Sequence, residues 1–318
     1  MNWILDAINL LQAATVLLLA PLFAGIYSRA RAWLESRRGP SIFQPYYDLA
    51  KYLQKETILP RGASWLFVAA PVMAFGAYLV ISVVVPIITP YPLPTAPTVD
   101  FLGGGLLFGL AGLLTILAAF DSGSNYTALG ASRAVSFAAL AEPTLIMVFF
   151  AVAVISGTNN PYVTNNLLAS SSSWYLAPTH LLAMAAFFLL ILAETGKLPV
   201  ESAGLMEFGM NDDGRIYEHS GRLLGLSRWN SWLKQFILLA VFVNVFAIPW
   251  GMVTSVTMLG AVENIGVLLA KLLFVLAILV LMESALAKLR LFKIKDFLAL
   301  SFSLAILSVL AFAVLGVP

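Results

Sequence analysis

The sequence predicts an all-α integral membrane protein: eight transmembrane helices, a short interfacial helix after the first and a long cytoplasmic loop after the fifth. Three observations lead there. With 60% hydrophobic and 11% charged residues and a mean hydropathy of +0.92, the chain has too few polar side chains to cover a water-soluble globule, so surplus apolar surface must face lipid. Eight stretches supply the about 20 mostly apolar residues that a span needs, roughly 5–28, 65–89, 101–120, 134–156, 177–194, 232–254, 264–284 and 297–316. Such continuous runs exclude the short alternating strands of a membrane barrel. Finally, seventeen of the eighteen Lys and Arg residues fall into every second gap between these runs. Cationic loops stay on the cytoplasmic side, so this pattern fixes the number of spans and their direction together.

Taken in order, the first run has no basic residue before it and no clear small-residue cleavage site, which reads as an anchor with its N-terminus outside rather than a signal peptide. Arg29, Arg31, Arg37, Arg38, Lys51, Lys55 and Arg61 follow it. Within that connection Tyr46, Leu49, Ala50 and Leu53 stand at i, i+3, i+4 and i+7, with Asp48, Lys51, Lys55 and Glu56 off the stripe. The pattern is that of a short helix at the membrane interface, serving as a surface anchor or as a docking helix for a partner. Arg133 marks the third-to-fourth connection. Lys197, Arg215, Arg222, Arg228 and Lys234 mark the fifth-to-sixth, and Lys288, Arg290, Lys293 and Lys295 the seventh-to-eighth. All four connections belong in the cytoplasm and both termini outside, as one polytopic domain over residues 1–318. The outer connections near 90–100, 157–176 and 255–263 carry no Lys or Arg.

The connection over about 195–231 is the most polar part of the chain. Glu194, Lys197, Glu201, Glu207, Asp212, Asp213, Arg215, Glu218, His219, Arg222 and Arg228 stand there among several glycines. It reads as solvated linker or as a stretch of functional acids, since Leu198, Val200, Leu205, Met206 and Phe208 surround the carboxylates. Acids in apolar company tend to favour the neutral form and to exchange protons near neutral pH.

Ionisable groups inside spans are a sharper clue, because each costs roughly 2.5–3.5 kcal/mol at a helix centre. Glu142 lies about two turns into the fourth span and precedes Pro143, which removes a backbone donor. Asp121 ends the third span, Glu283 ends the seventh and Lys271 lies within it. Asp121, Glu194 and Glu283 can be read as headgroup-boundary residues, and Lys271 as snorkelling to the outer surface. Glu142 has no such escape; it is read either as an ion-pair partner of Arg133 or as a proton relay. With no Cys in the chain and only His180 and His219 as imidazoles, neither a disulfide nor a thiolate-bound iron–sulfur cluster can form, so redox chemistry must belong to partner proteins.

Three segments carry a resemblance. Arg37-Arg38-Gly39-Pro40 followed by Gln44-Pro45-Tyr46-Tyr47-Asp48 and Lys51 resembles the first cytoplasmic loop of the heel-subunit family of complex I. Asp121-Ser122-Gly123-Ser124, Gly130-Ala131-Ser132-Arg133 and Glu142-Pro143 resemble its hydrogenase branch, as do Glu194-Thr195-Gly196-Lys197-Leu198-Pro199-Val200-Glu201, Glu207 and Glu218-His219-Ser220-Gly221-Arg222. The resemblance implies a membrane anchor that couples a peripheral electron-transfer arm to H⁺ or Na⁺ pumping in the cell membrane. It has no cofactor of its own; iron–sulfur clusters and a nickel–iron centre are expected in hydrophilic subunits on the cytoplasmic face, beside antiporter-like membrane subunits. No nucleic-acid partner is expected. The implied ion pathway comprises Asp121, Arg133, Glu142, Glu194, Glu201, Glu207, Lys271 and Glu283, and the implied docking residues are Arg37, Arg38, Asp48, Lys51, Asp213, Arg215, Glu218, His219 and Arg222. Quinone-reducing members typically read Glu-x-x-Arg-x-Pro-Phe-Asp after the fifth span. Lys197 replaces that Arg here, and Val200-Glu201 replaces Phe-Asp, which argues against quinone binding and moves the sequence toward the energy-converting nickel–iron hydrogenase group, with a sister complex that reduces quinone or sulfur compounds as the alternative. A free-standing secondary transporter would show internal repeats with paired broken helices, and no half-to-half match stands out.

Overall fold

The computed structural model describes residues 2–91, 93, 100–197, 199–200, 212–287, 289 and 291–315. Helix α1 (Asn2–Leu34) continues past the apolar run and carries Arg29 and Arg31 on its last turns. Its 33 residues rise about 50 Å, well beyond the about 30 Å of bilayer hydrocarbon. The chain then forms α2 (Gln44–Gln54), with Pro45 preset for the first helical turn. Spans α3 (Trp65–Val84), α4 (Phe101–Asp121) and α5 (Asn125–Ser156) follow. Side chains cap two of them: Ser64 accepts from Leu66 N–H and Asp100 from Gly103 N–H. Helix α5 stops at Gly157, whose positive φ supplies the left-handed C-terminal turn.

The segment after α5 is more than a polar loop. Asn160 caps α6 (Pro161–Ser170), a four-residue turn α7 (Ser172–Tyr175) follows, and Tyr162, Thr164 and Asn165 are buried. Helix α8 (Pro178–Glu194) comes next, and α9 (Asp212–Arg215) is a single turn. Helix α10 (Gly221–Val241) runs into a π-helical stretch, Phe242–Ala247. Spans α11 (Met258–Ala285) and α12 (Leu291–Leu315) complete the chain.

Among the described residues seven helices are long and apolar enough to cross a membrane; α8, apolar but 17 residues long, is shorter. Two boundaries differ from the sequence reading. The polar connection after α8 ends at Ser220, not near 231, so Arg222, Arg228 and Lys234 ride on α10 rather than in a loop. The expected span 232–254 is broken after Ala247, where Pro249 cannot donate to a preceding carbonyl. Hydropathy alone registers neither change, because a helix may begin in polar sequence and an apolar run may contain a break.

Helix α10 is the centre of the bundle. Leu233 and Phe236 through Phe246 are buried almost without interruption, as expected of a helix that is apolar all round. Phe236 meets Phe23 of α1 edge-to-face, and Asn230 donates to the Pro71 carbonyl of α3 (2.9 Å). Helix α12 keeps Leu300, Leu307, Leu310 and Val314 exposed, a face for lipid or for another membrane subunit.

Candidate functional site: two cavities lined by ionisable groups

The site is built where α4, α5, α8 and α10 converge. Gly109 and Gly112 of α4 open the space that the Glu142 carboxyl occupies: a Cβ at Gly109 would stand 3.4 Å from its Cδ, and one at Gly112 3.7 Å from its Oε1. Small residues let helices approach this closely. Glu142, Glu194, Lys234 and Arg215 line one cavity of about 80 Å³, otherwise walled by Phe108, Ala141, Leu145 and other apolar side chains. Glu194 pairs with Lys234 across α8 and α10. A second cavity of about 80 Å³ shares Gly112, Glu194, Arg215 and Lys234 with the first and continues past Thr195, Ser227, Asn230, Ser231 and Gln235 to His219. At about 10–15 Å³ per water, each has room for a few water molecules.

His219 lines the far end of the second cavity. Its ring stacks on Phe67 with centroids 4.4 Å apart, it is 4% exposed, and neither ring nitrogen has a hydrogen-bond partner among the described residues. Burial pushes the imidazole down to about 4, so it is neutral at physiological pH. The connection that carries it is pinned to the segment between α2 and α3. Ile58 N–H donates to Ser220 Oγ (2.8 Å), Ser220 Oγ donates to the Ile58 carbonyl (2.9 Å) and Arg222 Nε donates to the Leu53 carbonyl (3.3 Å). Gly221 has φ +49, and a Cβ there would fall 2.2 Å from the Glu56 carbonyl oxygen, so this crossing needs glycine.

The expected site residues thus divide. Glu142 and Glu194 come together, joined by Arg215 and Lys234. Arg133 does not pair with Glu142: both lie on α5, nine residues apart, about 14 Å of helical rise. Asp121 has a structural task. Its Oδ2 accepts from Ser64 N–H (2.8 Å), Ser64 Oγ (2.9 Å) and Phe67 N–H (3.1 Å), capping α3 from the end of α4. Glu201 and Glu207 lie outside the described residues. Glu283 belongs to a separate cluster near the C-terminal end of α1. Arg31 Nε stands 3.7 Å from its Oε2 and 3.0 Å from Glu35, and the Lys197 ammonium lies 3.3 Å over the Tyr27 ring. A cavity of about 290 Å³ adjoins it, lined by Tyr27, Arg31, Glu35, Arg37 and Arg38. Lys271 does not snorkel outward: it is buried and donates to the Ile248 carbonyl (2.8 Å).

Of the docking candidates, Arg37, Arg38, Lys51 and Arg222 are exposed, Glu218 is half-buried, and Asp48 accepts from Gln44 on its own helix (2.9 Å). Asp213 lies on α9. Arg215 and His219 instead face the cavities. The buried stripe of α2 is Pro45 and Leu49, while Ala50 and Leu53 are exposed, because α2 packs against α10: Gly225 stands where its Cβ would touch Tyr52 Cβ at 3.0 Å. Sequence reasoning missed Gly109, Gly112, Asn230 and Gln235. The signal for the glycines was their spacing along α4, one helical turn apart and facing an acid-bearing helix. Among the described residues no group of three or more His, Asp or Glu side chains is placed to hold a metal ion.

A bundle of long apolar helices with half-buried carboxylates gathered in cavities between them defines a multi-pass membrane protein. The family model described as NADH dehydrogenase matches residues 7–315, and the chain belongs to that family. It is 33% identical over 285 residues to formate hydrogenlyase subunit 4 of Escherichia coli (strain K12), covering 89% of this chain and 90% of that protein. It is 32% identical over 306 residues to hydrogenase-4 component C of the same organism, covering 94% and 93%. Its fold matches a chain in the structure of the membrane-bound sulfane sulfur reductase, an archaeal respiratory membrane complex, with a TM-score of 0.81 at 22% identity, over 96% of this chain and 98% of that one.

Proposed function

We propose that this chain is the membrane-anchor and ion-coupling subunit of a multi-subunit energy-converting nickel–iron hydrogenase. The observation that carries the reading is the pair of cavities sharing Glu194, Lys234 and Arg215, with Glu142 on the membrane side and His219 toward the cytoplasm. Near full-length similarity to a formate hydrogenlyase subunit and a hydrogenase-4 component supports the branch. In this reading α8 makes the eighth crossing, both termini lie outside, and Arg37, Arg38, Lys51 and Arg222 face a hydrophilic arm that carries the iron–sulfur and nickel–iron centres.

Charge arriving in that arm changes the field at Arg215 and at the Glu194–Lys234 pair. The pair tightens or loosens, and Glu142 across the shared cavity takes up or gives back a proton through the enclosed water. Antiporter-like partners then carry the ion, each charge costing about 2.3 kcal/mol per 100 mV. Glu142→Gln keeps the shape and one hydrogen-bonding oxygen but cannot change charge. The complex bearing it should assemble with electron transfer retained and ion translocation lost in proteoliposomes; undiminished pumping removes Glu142 from the pathway. Nickel in the purified complex supports the hydrogenase branch, and a nickel-free complex assigns the chain to a quinone- or sulfur-reducing relative.

A further inference from the structure

The break in α10 leaves helix-terminal carbonyls stranded within the membrane. The last carbonyls of a helix have no partner in their own ladder; here Ile248 N–H still reaches the Val243 carbonyl (2.8 Å), but the helix ends there and Pro249 has no N–H to offer the carbonyls beyond it. Four side chains from four other helices meet four of these carbonyls. Asn165 Nδ2 of α6 donates to Asn244 O (2.5 Å), Tyr175 OH of α7 to Ala247 O (2.7 Å), His180 Nε2 of α8 to Phe246 O (3.0 Å) and Lys271 Nζ of α11 to Ile248 O (2.8 Å). Three of the donors are neutral. The fourth is an ammonium, 7% exposed, placed fourteenth of the 28 residues of α11 and therefore at its midpoint.

A charge at mid-membrane is costly unless something there favours it. A helix C-terminus does: its aligned peptide dipoles present roughly half a negative charge. Broken helices inside membranes commonly use such carbonyl ends to hold a mobile cation. We propose that the Lys271 ammonium is a tethered cation filling a monovalent-cation site at the broken end of α10. Held from α11, it keeps a mobile ion from occupying that position, and it locks the break closed on the outer side of the two cavities.

Removing the tether should expose the site. The purified complex is heated in sodium chloride, methylammonium chloride or choline chloride at equal ionic strength, and the rate of thermal dissociation is followed. Wild type should be indifferent to the salt. Lys271→Ala should dissociate roughly tenfold faster in choline, the equivalent of about 1.4 kcal/mol, and recover saturably as sodium or methylammonium replaces it. Lys271→Gln keeps an N–H donor for the Ile248 carbonyl without the charge, and should remain destabilised. Wild-type stability of Lys271→Gln, or the same rate for Lys271→Ala in all three salts, overturns the proposal. If Lys271→Ala fails to assemble, Lys271→Gln decides. If neither assembles, assembly of Lys271→Arg supports the need for charge, and its failure too assigns the position to packing and overturns it. None of these readouts depends on which electron-transfer arm is bound.

Discussion

At the residue scale, charge and environment decide what an ionisable group does, and sequence supplies only half of that pair. His219 shows the difference. Its place in a charged, glycine-rich segment suggested a solvent-facing docking residue; the structure stacks it on Phe67 with both nitrogens unsatisfied. The unfolded chain takes up a proton near the ordinary His value of about 6.5, whereas the folded site resists until about 4. Between those values the unfolded state binds more protons, so stability falls as pH drops from about 6.5 toward 4 and is fully retained above that window. The loss is on the order of 3 kcal/mol once both forms are protonated. Thermal midpoints of the purified protein at pH 7.5 and pH 5 should therefore differ. His219→Met, which removes the proton site at similar volume, should flatten that dependence; an unchanged slope would place the titrating group elsewhere. Glu142 was legible beforehand for the opposite reason: an acid deep in an apolar run has no surface to reach, whatever surrounds it.

At the element scale, helix ends do work that their sequence assigns elsewhere. Asp121 looks like a boundary acid of α4 and a candidate for the ion pathway, yet its carboxylate accepts from two backbone N–H groups and one hydroxyl at the start of α3. Asp121→Ala should lower stability by about 1–2 kcal/mol, the usual worth of a lost cap. Asp121→Asn retains an acceptor oxygen and should pump at wild-type rate; a pumping defect in a stable Asn variant would return Asp121 to the pathway. The spans themselves were legible because burial in lipid demands long apolar helices. Their ends were less so. Helix α10 begins in polar sequence because α2 and the 53–58 segment pack against it, and it breaks at Ala247 because donors from α6, α7, α8 and α11 satisfy the freed carbonyls. Those partners lie 23 to 79 positions away along the chain, beyond the reach of any periodicity.

At the scale of the whole molecule, the alternation of basic and charge-free connections and the depth of the cavities make one argument. The polar track runs from His219, in the connection pinned to the 53–58 segment, to Glu142 inside α5. Its mouth therefore lies on whichever side of the membrane holds Arg37, Arg38, Lys51 and Arg222. Cation retention predicts a cytoplasmic side for those residues, and the mouth would then face the compartment where soluble electron donors reside. The chain contains no Cys, so single cysteines report side directly. Ser41 and Ser255 are both exposed, the first between α1 and α2, the second between the broken end of α10 and α11. A membrane-impermeant maleimide should label Ser255→Cys in intact cells and Ser41→Cys only in inverted vesicles. The reverse pattern would turn the cavity mouth outward, leave no cytoplasmic surface for an electron-carrying arm to dock on, and defeat the coupling scheme even if every buried contact stood as described.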